Sequence, residues 1–347
     1  MLIQRKSPHG GNCRPGGECI DFSSNINPAG MPQCVTEAVI ASVGETQKYP
    51  DPYCSELRRA ISEYEGVPSD DILCGNGATE LIYSYAFSLS GQRPVLIVSP
   101  TFSEYEAALN ASGIRTEHYI LSEGNGFRLT DDILKIDLSR FEAVFICTPN
   151  NPTGISVDPD LLRAVAETGV RIFADMCFLD LTDDPERYDL PNLVESYPNI
   201  MILRAFTKNF AMAGIRLGYA MSSDSDLLER MSEKAPCWNV SDIAQTAGVA
   251  AAGCRQWLRD SVASIKEERI RMSAALEELG IRVFSGEANY LLLFSDHNLC
   301  SLLREKGIMV RDCSDYVGLT EGFVRIAIRK RSENDRLLAA IREVCNG

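Results

Sequence analysis

The sequence predicts an α/β fold: a mostly parallel central sheet covered by helices, followed by a smaller α+β C-terminal lobe. Three observations predict it. Short apolar runs alternate with helical patterns through the first two thirds of the chain, the pattern of a parallel sheet with both faces covered. Polar residues cluster just after the carboxyl ends of these runs, where α/β folds place their ligands. From about residue 225 the alternation gives way to one long helical stretch and then to several closely spaced strand-like runs.

Residues 1–35 read as an arm. They are rich in Gly, Pro, Asn and Ser and cannot build a core, so the arm is either a loose tail or lies across the body and lends it polar groups. Residues 36–235 read as a large domain and 236–347 as a small one. Tyr49-Pro50-Asp51-Pro52 is a turn cluster, and Leu57, Ile61 and Tyr64 then fall at helical spacing. Ile72-Leu73-Cys74 is a short strand, followed by Gly75-Asn76-Gly77-Ala78-Thr79-Glu80 and a helix through Leu81 and Tyr85. A glycine turn that opens a helix leaves N–H groups for an anion, unless Asn76 or Thr79 simply caps it.

Strands are also expected at Val95–Val98, Val144–Cys147, Arg171–Ala174 and Ile200–Leu203. They end in Ser99-Pro100-Thr101-Phe102, Thr148-Pro149-Asn150-Asn151, Asp175 and Thr207-Lys208 respectively. Residues 241–279 are helical with a break near Gly253. Strands follow at Ile281–Phe284, Tyr290–Phe294, Ile308–Arg311 and Val324–Ile328, and a last helix is expected with Ser332 as its N-cap.

The chain has 347 residues, 45% of them hydrophobic, and a formal net charge of -14, which disfavours nucleic acid and anionic membranes as partners. No apolar run approaches a membrane span and no signal-peptide core follows Met1, so a cytosolic protein is expected. The 12 cysteines contain no CxxC, and those beside apolar runs, such as Cys74, Cys147 and Cys177, suit reduced, buried thiols. His9, Cys13 and Cys19 fit no common zinc spacing, so no metal is expected.

Lys208 stands between the hydroxyl of Thr207 and, after a glycine, Arg216. The three residue types suit an amine that holds an aldehyde cofactor covalently while a hydroxyl and a guanidinium grip that cofactor's phosphate. With Gly75 to Glu80, Phe102, Asn150 to Gly154 and Asp175, in this order, the chain resembles the fold-type I pyridoxal-phosphate enzymes, the aspartate aminotransferase superfamily. The resemblance spans nearly the whole chain. It implies an aspartate-aminotransferase-like fold and pyridoxal 5'-phosphate as cofactor. Asp175 would pair with the pyridine nitrogen and Asn151 with the phenolic oxygen, and Phe102 would lie on the ring. The N–H groups of Ala78 and Thr79, with Thr207 and Arg216, would hold the phosphate. Tyr49 would reach the phosphate bound in the other subunit of a homodimer with shared sites. Two departures are visible: relatives carry Asp-Glu-Ala-Tyr where this chain has Asp175-Met176-Cys177-Phe178, and Ala205 lacks a hydroxyl common in relatives.

Within the superfamily, Tyr49-Pro50-Asp51 and Arg311-Asp312 are similar to histidinol-phosphate aminotransferases. His9-Gly10-Gly11-Asn12, Asp21 to Pro28, Asp180, Ala288 to Leu293 and Arg325 to Arg329 are more similar to the L-threonine O-3-phosphate decarboxylases of cobalamin synthesis. This second resemblance implies decarboxylation of threonine phosphate to (R)-1-amino-2-propanol phosphate. Arg325 would anchor the carboxylate near Asn151, Lys208 would protonate Cα, and His9, Asn25 and Arg311 would meet the substrate phosphate. The alternatives are transamination of a phosphorylated amine such as histidinol phosphate with 2-oxoglutarate, and a binding module that keeps the fold without catalysis.

Overall fold

The computed structural model describes residues 10–11, 19–284 and 286–346. Its strands in chain order are β1 (Ile20–Asp21), β2 (Ile72–Gly75), β3 (Val95–Ser99), β4 (Thr116–Ile120), β5 (Ala143–Cys147), β6 (Arg171–Asp175) and β7 (Ile200–Ala205). They continue with β8 (Gly218–Met221), β9 (Arg282–Phe284), β10 (Tyr290–Phe294), β11 (Ile308–Met309), β12 (Arg311–Asp312) and β13 (Phe323–Ala327). Seven form one sheet in the order β2-β8-β7-β6-β5-β3-β4, in which only β8 runs against its neighbours. The expected mostly parallel sheet is therefore present, with its central strands buried along their whole length.

The parallel register lines up strand ends. Cys147 of β5 is opposite Asp175 of β6, and Asp175 is opposite Leu203 of β7. The chain therefore leaves β5, β6 and β7 at one rim, and the polar residues after each strand meet there. Arg204 inside β7 is the exception to the apolar pattern. It is buried because its guanidinium reaches Glu65 at 3.0 Å and Asp180 at 2.5 Å, the pairing that a charge needs when it leaves water.

A second, antiparallel sheet has the order β12-β13-β10-β9. The expected run Ile308–Arg311 is split: β11 pairs in parallel with β1 of the arm, and β12 pairs with β13. The described part of the arm, from residue 19 on, thus lies across the body. Phe22 is fully buried and its carbonyl accepts from the Ala327 N–H at 2.9 Å, while the Asn27 N–H donates to the Lys208 carbonyl at 3.0 Å. The helical stretch breaks where expected, into helices Asp242–Ala252 and Arg255–Glu278. The last helix, Arg331–Asn346, starts before Ser332, which is therefore not its N-cap; the Lys330 N–H is met instead by the Glu333 carboxylate at 3.3 Å, closing the first turn. Of the three thiols expected to be buried and reduced, Cys74 and Cys147 are buried and free while Cys177 is free but half-buried; Cys34 is exposed and Cys19 stands in a disulfide. Among the described residues no helix is long and apolar enough to cross a membrane, and no cluster of His, Cys, Asp and Glu could hold a metal.

Candidate active site

A cavity of about 270 Å³ opens at the rim where β5, β6 and β7 end. Its lining includes Ala78, Thr79, Phe102, Asn151, Asp175, Thr207, Lys208 and Arg216, together with Asn25, Arg311 and Arg325. Residues from eight separate segments of the sequence are thus brought together. Two expected site residues are not among them. Tyr49 is 80% exposed and stacks on Trp238, with ring centroids 4.7 Å apart. His9 lies outside the described residues.

Lys208 sits on the single helical turn Phe206–Asn209, which begins where β7 stops. Burial, then the nearby Arg325 and Arg216, push its amine down from the ordinary lysine value to about 8. At neutral pH about a tenth of the molecules then carry the free amine, far more than for an unperturbed lysine, and the free amine is the nucleophile.

Asp175 closes β6 and is buried. Its two carboxylate oxygens accept from the Tyr105 hydroxyl at 2.5 Å and the Cys177 N–H at 2.9 Å. Burial raises its carboxyl above the usual range, and those two donors work in the other direction by favouring the ionised form.

The helix Ala78–Ser88 opens at Gly77 with no side-chain cap, so neither Asn76 nor Thr79 fills that place, and Ala78 and Thr79 of its first turn line the cavity. Gly77 has φ 78° and ψ 162°, a region open essentially to glycine alone. A Cβ there would also stand 2.6 Å from Nη2 of Arg216. Gly218 completes the close approach, since a Cβ on it would stand 2.6 Å from the Ala78 nitrogen. Arg216 itself has φ 62°, an uncommon state for a long side chain and one that collects at functional sites.

The opposite wall comes from the arm and the second sheet. One nitrogen of the Arg325 fork donates to the Asn151 side-chain oxygen and the other to the Ser23 carbonyl at 2.7 Å, and its Nε has no partner among the described residues. Arg311 and Arg325 are direct register partners across β12 and β13, and both are buried. Like charges directly opposite each other destabilise a sheet, so two buried guanidinium groups at one cavity point to anions as guests. Asn25 is 1% exposed, and among the described residues its side-chain oxygen has no hydrogen-bond partner.

Several lining residues were not expected at the site, Tyr105, Cys177 and Tyr316 among them. No local motif marks Tyr105, and its bond to Asp175 spans 70 positions. Cys177, noted as a buried thiol, lines the cavity beside Asp175. The Tyr316 hydroxyl reaches the Asn151 side chain at 3.5 Å, and its ring lies under the Arg311 guanidinium at 5.0 Å. No local motif marks Tyr316; a cue existed only in its position shortly after Arg311-Asp312.

This donor set fits pyridoxal phosphate. An uncapped helix start beside Arg216 and Thr207 suits a phosphate dianion. A buried carboxylate suits a ring nitrogen that must stay protonated, and a lysine with a lowered pKa suits covalent attachment.

Comparison with known proteins agrees. The family model described as aminotransferase class I and II matches residues 17–341. The chain is 37% identical to the threonine-phosphate decarboxylase of Salmonella typhimurium, over 98% of this chain and 97% of that protein. The crystal structure of the histidinol-phosphate aminotransferase from Clostridium acetobutylicum superposes with a TM-score of 0.88 at 29% identity, covering 94% of this chain and 98% of that one. The histidinol-phosphate aminotransferase from Sinorhizobium meliloti, solved in complex with pyridoxal-5'-phosphate, shares the fold with a TM-score of 0.83 at 21% identity, covering 93% and 89%.

Proposed function

We propose that this chain, which belongs to the aminotransferase class I and II family and uses pyridoxal phosphate as its cofactor, is a lyase that removes the carboxylate of L-threonine O-3-phosphate. The product would be (R)-1-amino-2-propanol phosphate, a building block for cobalamin. Membership in a family of pyridoxal-phosphate enzymes also sets aside the reading as a binding module without catalysis.

One observation carries the choice of substrate. Arg311 and Arg325 face one another across paired strands and both line the Lys208 cavity. A short substrate with a phosphate at one end and a carboxylate at the other would be held at both. Arg325, steadied by Asn151 and the Ser23 carbonyl, takes the carboxylate. Arg311 and Asn25 take the phosphate, with His9 from the arm. Two anchors leave little rotational freedom about Cα, so orientation contributes directly to the rate.

The cofactor would be held by the Ala78 and Thr79 N–H groups, Thr207 and Arg216 at its phosphate. Asp175 would meet its ring nitrogen, Asn151 its phenolic oxygen and Phe102 its face. When bound, it supplies an electron sink for the pair left on Cα. The Tyr105 hydroxyl and the Cys177 N–H favour the ionised form of Asp175, which would hold the opposing positive charge. Lys208 would hold the cofactor covalently until the substrate's amine takes its place, and would then deliver a proton to Cα where the carboxylate has left. Its lowered pKa lets it give and take that proton near neutral pH.

We also take the two sheets as the cores of a large domain (36–235) and a small domain (236–347), and the chain as a homodimer in which Tyr49, exposed in one subunit, reaches the phosphate held by the other. The 29% identity to a histidinol-phosphate aminotransferase favours a second reading, transamination with 2-oxoglutarate. A substrate comparison separates the two. The purified holoenzyme should release CO2 from threonine phosphate without any keto acid, and poorly from threonine. Glutamate formation from histidinol phosphate and 2-oxoglutarate, with no CO2 from threonine phosphate, would establish the second reading.

A further inference from the structure

Arg311 already has an anion. Its Nη2 donates to Oδ2 of Asp315 at 2.8 Å. The two partners differ in setting: the Arg311 side chain is 8% exposed and that of Asp315 41%. The carboxylate therefore reaches a cavity-lining guanidinium from the solvent side.

Asp315 is not needed to hold Arg311 in place. The other end of the fork, Nη1, donates to the Asp312 carbonyl, and the guanidinium lies over the Tyr316 ring at 5.0 Å. Together these fix its plane. Nor does Asp315 hold its own turn, because the Asp312 carboxylate accepts from the Ser314 N–H at 2.9 Å and the Tyr316 N–H donates to the Cys313 carbonyl at 3.1 Å. Among the described residues the Asp315 carboxylate takes no hydrogen bond other than the one from Arg311.

We propose that Asp315 is a resident counter-ion that the substrate's phosphate displaces from Arg311, which makes it a residue that sets the affinity for phosphorylated substrates and products. The inference rests on the reading above that Arg311 receives the substrate phosphate. In the free enzyme Asp315 neutralises one of two guanidinium groups that the sheet register sets against each other. A phosphate monoester carries close to two negative charges and three strong acceptors. It replaces a single carboxylate oxygen on Nη2, and Asp315 swings to water at little cost because it is already half exposed. The same carboxylate then competes for Arg311 when a phosphorylated product must leave.

The sign of one substitution distinguishes a competitor from a support. Asp315→Asn keeps the shape and removes the charge. Inorganic phosphate is titrated calorimetrically into holoenzyme, whose cofactor fills its own phosphate site, and Arg311→Gln is measured alongside. The proposal expects phosphate to bind Asp315→Asn more tightly, by up to about fivefold, the range that a half-exposed ion pair sets. The gain should shrink as salt rises, and KM for the phosphorylated substrate should fall by a similar factor. Asp315→Ala with an unchanged thermal midpoint should behave alike. Unchanged or weaker phosphate binding in the Asp315 variants, with binding lost in Arg311→Gln, would overturn the counter-ion role alone. Phosphate binding indifferent to Arg311→Gln would overturn the placement of phosphate on Arg311, and this proposal with it.

Discussion

Gly77→Ala tests the phosphate cradle where its geometry is tightest. The wild-type backbone at this position, φ 78° and ψ 162°, is open essentially to glycine alone. An added methyl would also stand 2.6 Å from Nη2 of Arg216 and 3.0 Å from its Cζ. Two separate costs follow. Holding alanine in that conformation destabilises the fold by about 1–3 kcal/mol. The guanidinium is the end of a flexible side chain and moves aside, so most of the steric cost appears as a misplaced Arg216. A hydrogen bond to a charged group is worth about 1.5–3 kcal/mol, so affinity for pyridoxal phosphate should drop by about tenfold to a hundredfold. Thermal unfolding of the cofactor-free variant reads the first cost, and equilibrium titration with pyridoxal phosphate, followed by absorbance, reads the second. A variant with wild-type cofactor affinity would refute the assignment of Gly77 and Arg216 to the phosphate. A lowered melting temperature alone would not rescue it.

Lys208→Met should raise the melting temperature of cofactor-free protein at pH 7 by the equivalent of about 1–3 kcal/mol, because the folded chain holds a lysine whose pKa of about 8 marks the cost of its charge. The unfolded chain binds more protons between about pH 8 and the ordinary lysine value, so wild type should regain that stability as pH rises through this window. A constant gap from pH 7 to 11 would contradict the assignment. Asn25→Ala removes a buried side chain whose oxygen has no hydrogen-bond partner among the described residues, and should lower kcat/KM for threonine phosphate by roughly tenfold to a hundredfold while cofactor binding stays intact; steady-state kinetics and a cofactor titration check both halves. Tyr49→Phe should weaken cofactor retention in a protein that sediments as a dimer, and a fully active monomer would remove Tyr49 from the site.

What the sequence made legible follows from range. β5, β6 and β7 are continuous apolar runs because both their faces are covered, and such runs announce themselves. β4 lies at the sheet edge with Thr116, Glu117, His118 and Tyr119 only half buried, so its residues carry no such signature. Lys208, Asp175, Asn151 and Arg216 could be found because each sits in a short motif at a strand end. Tyr105 and Tyr316 could not, since Tyr105 bonds Asp175 and Tyr316 reaches Asn151, both far away along the chain. The arm shows the same limit. Its polar composition left open a tail or a strap, and only the pairing of β1 with β11 and the bonds of Phe22 and Asn27 decide for the strap.

The most direct measurement uses threonine phosphate labelled with carbon-13 at the carboxyl group, incubated with holoenzyme in heavy water and followed by NMR. If Arg325 and Arg311 hold the two ends and Lys208 serves Cα, the label leaves as bicarbonate, no keto acid is needed, and the product carries one deuteron on its amine-bearing carbon. Label retained in unreacted substrate or in a keto acid, with turnover only when 2-oxoglutarate is supplied, would contradict the account and assign the chain to transamination.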